Sequence, residues 1–215
     1  INVQSKIARS IVVNGKTIPS DIILSGADYH HTETLLDIEH RAYSETYWES
    51  RVFAPSSLLF YVGFNRKIEN ISHHALFFDV DFDQHARDIY DEPKWPAEPL
   101  FYANFPSITD QSAAPEGMES GFFLIPLAPG IEDTPALREK YFDKIIDRFE
   151  TLTSQKVKNN IIFKESFCKN DFVSDYNSYK GNAYGMANTL LQTAFLRPKL
   201  KSKKVKNLYF TGQLT

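Results

Sequence analysis

The last eleven residues, VKNLYFTGQLT from Val205 to Thr215, decide how this chain is read. A basic run, KLKSKKVK, gives way to Leu208, Tyr209 and Phe210, and then to Thr211 and Gly212. An aromatic stretch that ends at glycine marks a buried strand turning sharply into another element. Only three residues follow that glycine. The opening, INVQSKIARSIVVNGKTI, has no initiator Met and is strand-like from its first residues. The 215 residues are therefore expected to be a piece of a longer protein.

That length suffices for one large domain or two small ones. Hydrophobic residues at 42% and aromatics at 14% exclude a disordered chain. A net charge of −3 gives no footprint for nucleic acid. The single Cys168 rules out an internal disulfide framework and fits a reducing compartment, so a cytoplasmic location is expected. Greasy runs such as SLLFYVGF have strand length, well short of the roughly 20 residues of a membrane-spanning helix.

Working back from the C-terminus, NTLLQTAFL reads as a short helix and CKNDFVSDYNSYKGNAYGMA as a polar loop. KNNIIFKESF is a strand. TPALREKYFDKIIDRFETLTSQ is the clearest helix, with Leu137, Tyr141, Ile145, Phe149 and Leu152 at helical spacing behind a Thr134-Pro135 start. GFFLIPLAP, EPLFYANF, HHALFFDV and Ser57–Phe64 are strands, and FDQHARDIYD is a short helix stopped by Pro93. Near the N-terminus, Asn14-Gly15 predicts a type I′ hairpin, since both central residues of that turn need positive φ. Ile22-Ile23-Leu24 reads as a strand buried on both faces. Ser25-Gly26-Ala27-Asp28 follows, leading into the helix YHHTETLLDIEH, a geometry in which backbone approaches a ligand closely.

The expected fold is α/β of the α+β type. A mixed sheet with helices mainly on one face occupies residues 53–200, and segments 1–52 and 201–215 form a separate layer around it. His73-His74 is a poor metal pair, because adjacent strand residues point to opposite faces, and His30-His31 has the same defect on a helix, so no metal is expected. Walker A, G-x-G-x-x-G and G-x-S-x-G patterns do not occur in the 215 residues. The positive signal is aromatic density. Phe60, Tyr61, Phe64, Phe77, Phe78, Phe101, Tyr102, Phe105, Phe122 and Phe123 fall on successive strands, and they line either a generous core or a pocket for a long apolar ligand. Asp88 is a carboxylate on a helix beside those strands.

In order along the chain, ADYHHTETLL, RAYSETYWESRVFAPSSLLFYVGFN, ISHHALFF, FPSITDQSAAPEG, NSYKGNAYG and TAFLRPKLK…VKNLYFTG resemble the C-terminal half of bacterial and fungal-type phytoene desaturases. These are carotenoid desaturases of the flavin-containing amine oxidase superfamily. The resemblance implies that residues 1–52 and 201–215 are parts of an FAD-binding, Rossmann-like domain and that 53–200 bind substrate. It places Ser25, Gly26, Ala27, Asp28, Gly212 and Gln213 near FAD, makes Asp88 the candidate acid–base residue, and gives Tyr61, Phe78 and Phe101 to an apolar polyene substrate. It implies hydride transfer to flavin and peripheral membrane association of the whole protein. The family's dinucleotide fingerprint would lie upstream, so this piece alone is not expected to hold FAD. Self-association through exposed apolar surface is expected. Carotenoid isomerases, ketolases and retinol saturases share the architecture, and a non-enzymatic carrier of apolar lipids is the rival from another class.

Overall fold

The computed structural model describes residues 1–212, so Gln213 lies outside the described residues. The chain divides into two compact units: Ile1–Ala54 together with the segment from Phe172 onward, and Pro55–Asp171. The return crossing thus falls near residue 172, where residue 200 was expected. The reason is packing. Tyr179 and Met186 belong to the same core as Trp48 and Phe53, Phe53 bridges to Met186, and Ala54 N–H donates to Gly185 O at 2.8 Å.

In the first unit, β1 (Asn2–Gln4), β2 (Ile7–Val13) and β3 (Lys16–Pro19) form an antiparallel sheet. The β2–β3 turn carries Asn14 at φ 50° and Gly15 at φ 76°, as the Asn-Gly pair demands. β4 (Ile23–Ser25) pairs in parallel with β10 (Leu208–Phe210), which brings the two ends of the sequence together. β4 is not buried on both faces: Ile22 and Leu24 are 67% and 65% exposed. Asn207 pins β10 to the N-terminal sheet. Its Oδ1 accepts from Ala8 N–H at 2.8 Å, and its Nδ2 donates to Ala8 O at 2.9 Å and to Asp21 O at 2.6 Å. Ala8 is fully buried, so Asn207→Ala would leave an unpaired amide and carbonyl in the core. We expect a loss of about 2 kcal/mol, read as faster hydrogen exchange at the Ala8 amide.

α1 (Tyr29–Thr34) is shorter than predicted and is followed by a 3₁₀ turn, Ile38–His40. Glu33 ends it: its two carboxylate oxygens accept from Ala42 N–H at 2.7 Å and Tyr43 N–H at 3.2 Å, which fold the chain back. α2 is Glu45–Glu49. The segment expected to be a loop after Cys168 contains α5 (Lys169–Tyr176), and the helix expected at 188–196 is two 3₁₀ turns.

The second unit holds a five-stranded sheet ordered β6-β7-β8-β5-β9: His74–Phe77, Phe101–Asn104, Glu119–Leu127, Ser56–Phe64 and Ile161–Phe167. A mixed sheet was expected, yet all its pairings are antiparallel. Among the described residues the parallel strand pair is β4–β10. α4 (Pro135–Thr153) covers one face, capped as expected by Thr134 Oγ1 accepting from Leu137 N–H. Its Phe142 meets Phe60 and its Phe149 meets Phe123, at ring-centroid distances of 4.9 and 5.6 Å. Leu152, placed on the buried stripe by periodicity, is half exposed in the last turn. α3 (Phe82–Tyr90) meets the sheet at the Pro126 end of β8.

Strand alternation sorts the aromatics. Phe60, Val62, Phe123 and Ile125 face α4 and are buried. Side by side on the opposite face, cross-strand register places His74, Asn104, Phe122, Tyr61 and Glu165 in one row. The neighbouring row is Leu76, Tyr102, Leu124, Leu59 and Phe167.

Candidate functional site

The site in the first unit lies at the carboxyl ends of the parallel pair β4 and β10, where open α/β sheets bind ligands. A cavity of about 550 Å³ opens there, lined by Gly26, Ala27, Asp28, Phe210, Thr211 and Gly212 and closed opposite by Tyr176 to Ser178 and Asn182. Two parts of the predicted cofactor motif from opposite ends of the sequence, Gly26–Asp28 and Gly212, thus share one wall. Gly212 has φ 127°, a backbone only glycine adopts without strain, and a Cβ there would meet nothing within 4 Å. Tyr29 stacks on Phe210 at 3.6 Å and forms the floor.

Asp28 is the N-cap of α1. Its Oδ1 accepts from His31 N–H at 3.0 Å and its Oδ2 from Tyr179 N–H at 3.2 Å, so it joins both sides of the cavity. Burial raises its pKa, opposed by those two amides. Ser25 stands behind the wall: its hydroxyl donates to Thr32 Oγ1 at 2.7 Å, since Thr32 itself donates to Asp28 O, and its carbonyl accepts from Thr211 N–H. The cavity's mixture of bare backbone, amide side chains and an aromatic floor suits a ligand with polar linkages and a flat ring. Sequence reading missed Tyr29, Asn177, Ser178 and Asn182. The signal for the last three was the quoted NSYKGNAYG run, which carries no periodicity to place it.

The site in the second unit is the sheet face away from α4. Tyr61 is 45% exposed there and its ring meets Phe122 at 5.3 Å. Two cavities lie along this face. One, of about 520 Å³, is lined by Tyr61, Gly63, Phe122 and Phe163 together with the Ala113–Pro115 loop. The other, of about 340 Å³, lies between α3 and the sheet and includes Leu76, Phe78, Ile89, Tyr102 and Leu124. Phe78, predicted to bind substrate, is exposed at its rim. Phe101 belongs to the other side: it is buried, stacks on Phe77 at 4.4 Å, and reaches this cavity only from the core.

Asp88 does not line either cavity. It is buried on α3, where Gln84 Nε2 donates to its Oδ1 at 2.7 Å and Lys94 Nζ lies 3.3 Å from the same oxygen. Those partners make it a clasp for the turn at Pro93. The buried group that does line the α3 cavity is His85, which sequence reading passed over. Leu100 N–H donates to its Nδ1 at 3.0 Å, so Nε2 carries the proton and donates to Pro126 O at 2.9 Å. Burial lowers its pKa and keeps the ring neutral. Along the sheet edge the rings of His73 and His74 stack at 4.3 Å, with His74 Nδ1 lying 2.6 Å from Tyr102 Oη. Among the described residues no group of three His, Cys, Asp or Glu is placed to hold a metal ion. Cys168, its thiol pushed up to about 12 by burial and by Asp133, is no nucleophile.

Comparison with known proteins fits this geometry. The chain is 40% identical over 204 residues to a carotenoid 3,4-desaturase of Haloarcula japonica, covering 94% of this chain and 41% of that one. Its relatives are carotenoid desaturases. A 4,4'-diapophytoene desaturase of Staphylococcus haemolyticus is 32% identical over 225 residues, covering all of this chain and 45% of that one. A lycopene-forming phytoene desaturase of a Paracoccus species is 24% identical over 207 residues, covering 94% and 41%. The chain thus spans about two fifths of the length of the desaturases it matches. No family model matches it. An oxidoreductase of Methanosarcina mazei shares the fold, with a TM-score of 0.60 at 11% identity over 99% of this chain and 42% of that one.

Proposed function

We propose that this chain belongs to an FAD-dependent enzyme that desaturates a carotenoid precursor, with the first unit contributing to the cofactor site and the second holding the substrate. The observation that carries the reading is the aromatic sheet face of the second unit, a surface with two apolar cavities and Tyr61 left open beside Phe122. A C40 polyene offers nothing to hydrogen-bond, so binding must come from apolar contact and excluded water.

Bound FAD would supply the hydride acceptor. Gly26, Ala27 and Gly212 would let backbone approach its polar linkage, and Asp28 would hold the cavity's two sides in place through His31 and Tyr179. Tyr61, Phe122 and Leu124 would hold the hydrocarbon and keep water from it, and the Tyr61 and Phe122 ring faces would stabilise positive charge developing on an allylic carbon. Asp88, occupied by Gln84 and Lys94, has no part in this reading. A substrate that partitions into lipid supports work at a membrane surface, and the single Cys168 supports a cytoplasmic setting for the whole protein. Among the described residues no helix is long and apolar enough to cross a membrane.

The test uses the whole protein with phytoene. Tyr61→Ala should lower turnover at least tenfold while the flavin absorbance stays as in wild type, and unchanged turnover would overturn the role of this face. The 215-residue chain by itself, without a dinucleotide fingerprint, should not quench FAD fluorescence at micromolar concentration. Quenching in that range would show that the first unit is a complete cofactor site.

A further inference from the structure

We propose that the cavity between α3 and the sheet receives one end of the polyene, and that it takes a bare hydrocarbon end and rejects an oxygenated one. This rests on the polyene reading above and adds to it where the chain ends and what chemistry that end may carry.

Size is the first argument. At about 340 Å³ the cavity sits near the lower limit for small-molecule sites, too small for a whole C40 chain and suited to its terminus. Continuity is the second. Leu124 lines this cavity and Phe122 the larger one, and the two residues are successive on one face of β8. From Pro126 to Ser120 the strand advances about 20 Å, so an extended chain lying along β8 passes from one cavity into the other.

The third argument is the fate of the polar atoms. Three lining residues carry polar side-chain atoms: His85, Tyr90 and Tyr102. Both nitrogens of His85 are taken by backbone, Nδ1 by Leu100 N–H and Nε2 by Pro126 O. The Tyr102 hydroxyl lies 2.6 Å from His74 Nδ1. Tyr90 stands at the rim, 46% exposed. A hydroxyl or carbonyl carried past the rim would shed its water and meet His85 and Tyr102 already engaged. His85 is thus a positioning residue: it fastens α3 to β8 and shapes a cavity without offering itself to the ligand.

The experiment measures displacement of an apolar fluorescent probe from the 215-residue chain by decane, by 1,10-decanediol and by phytoene. The diol carries oxygen at both ends, so it cannot enter by a hydrocarbon end. Decane should bind at least tenfold more tightly than the diol, and Tyr90→Phe should leave that ratio unchanged. Ala86→Phe, on the cavity side of α3, should weaken decane and phytoene at least tenfold. Phe78→Ala, at an exposed position, should weaken both severalfold without lowering the melting temperature, so the test survives if Ala86→Phe unfolds. Equal binding of diol and decane, or a Tyr90→Phe variant that loses the preference, would overturn the end-group assignment. Phytoene bound equally by wild type and both cavity variants would overturn the end pocket and leave the polyene reading standing. Decane binding without phytoene binding would remove the polyene reading and this assignment with it.

Discussion

Phe149→Ala is expected to cost the second unit about 3 to 5 kcal/mol, whereas Tyr61→Ala on the same sheet should cost less than about 1 kcal/mol. Phe149 is fully buried on α4, with ring centroids of Phe77, Phe105 and Phe123 between 5.6 and 5.8 Å away. Its removal leaves a cavity whose walls are rings, and rings cannot collapse into it. Tyr61 is 45% exposed and touches the sheet mainly through Phe122, so its loss uncovers little. The two tryptophans make the measurement clean. Trp48 lies in the core of the first unit, while Trp95 packs on Tyr141 of the second at 4.5 Å. In a Trp48→Phe background, urea unfolding read by Trp95 fluorescence reports the second unit alone. A Tyr61→Ala loss as large as that of Phe149→Ala would make the open face part of the core, and the substrate surface would disappear with it.

That contrast also shows what the sequence could tell. Period-two alternation put Phe60 and Tyr61 on opposite faces, and the structure keeps them there, because register in a sheet buried on one side cannot slip. Asn14-Gly15 gave its turn outright, since positive φ at two successive positions is nearly a signature. A second turn of the same kind, at Ser5 and Lys6 with φ 52° and 62°, was invisible because those residues carry no such preference. The resemblance put the two ends of the chain in one domain, but the parallel pairing of β4 with β10 was not legible, for two three-residue strands this far apart have no local signal of partnership. The same holds for the boundary near residue 172. Nothing in NSYKGNAYGMA is periodic, and its allegiance to Trp48 and Phe53 is a matter of tertiary packing. Asp88 shows the converse failure. A carboxylate beside aromatic strands invited a chemical role, but Gln84 four residues before it and Lys94 six after were already its partners. His85, three residues away, was the group facing the cavity, and its engagement by Leu100 and Pro126 depends on backbone atoms that no side-chain pattern reveals.

Asp133→Ala should cost the second unit about 3 kcal/mol, and it should also change how that unit responds to acid. The Asp133 side chain is fully buried ahead of α4 and accepts from Arg138 Nε and Nη2, both at 2.7 Å, and from Asn170 N–H at 2.8 Å. Two-point pairing with a guanidinium is the strong form of this contact. Truncation strands the Asn170 amide and leaves Arg138 with Asp171, 2.7 Å away, as its remaining carboxylate. By contrast, Lys158→Ala removes contacts to Asp143 and Asp147 that are open to water, and it should move stability by less than about 1 kcal/mol. Burial alone would raise the Asp133 pKa, but the Arg138 hydrogen bonds, the Asn170 amide and the guanidinium charge together outweigh it and hold the carboxyl below its ordinary 3.8. Because the folded pKa lies below the unfolded one, the unfolded chain binds a proton first as pH falls. The stabilisation is fully present above pH 3.8 and is lost as pH drops through the folded value. Wild-type protein should therefore lose stability steeply in that window, and Asp133→Ala, already without the contribution, should lose less. Trp95 fluorescence in urea at pH 6 and at pH 3 measures both variants. Parallel losses in the two would mean that Asp133 is as acidic in the unfolded chain as in the folded one, and that the Arg138 pair does not set the acid limit of this unit.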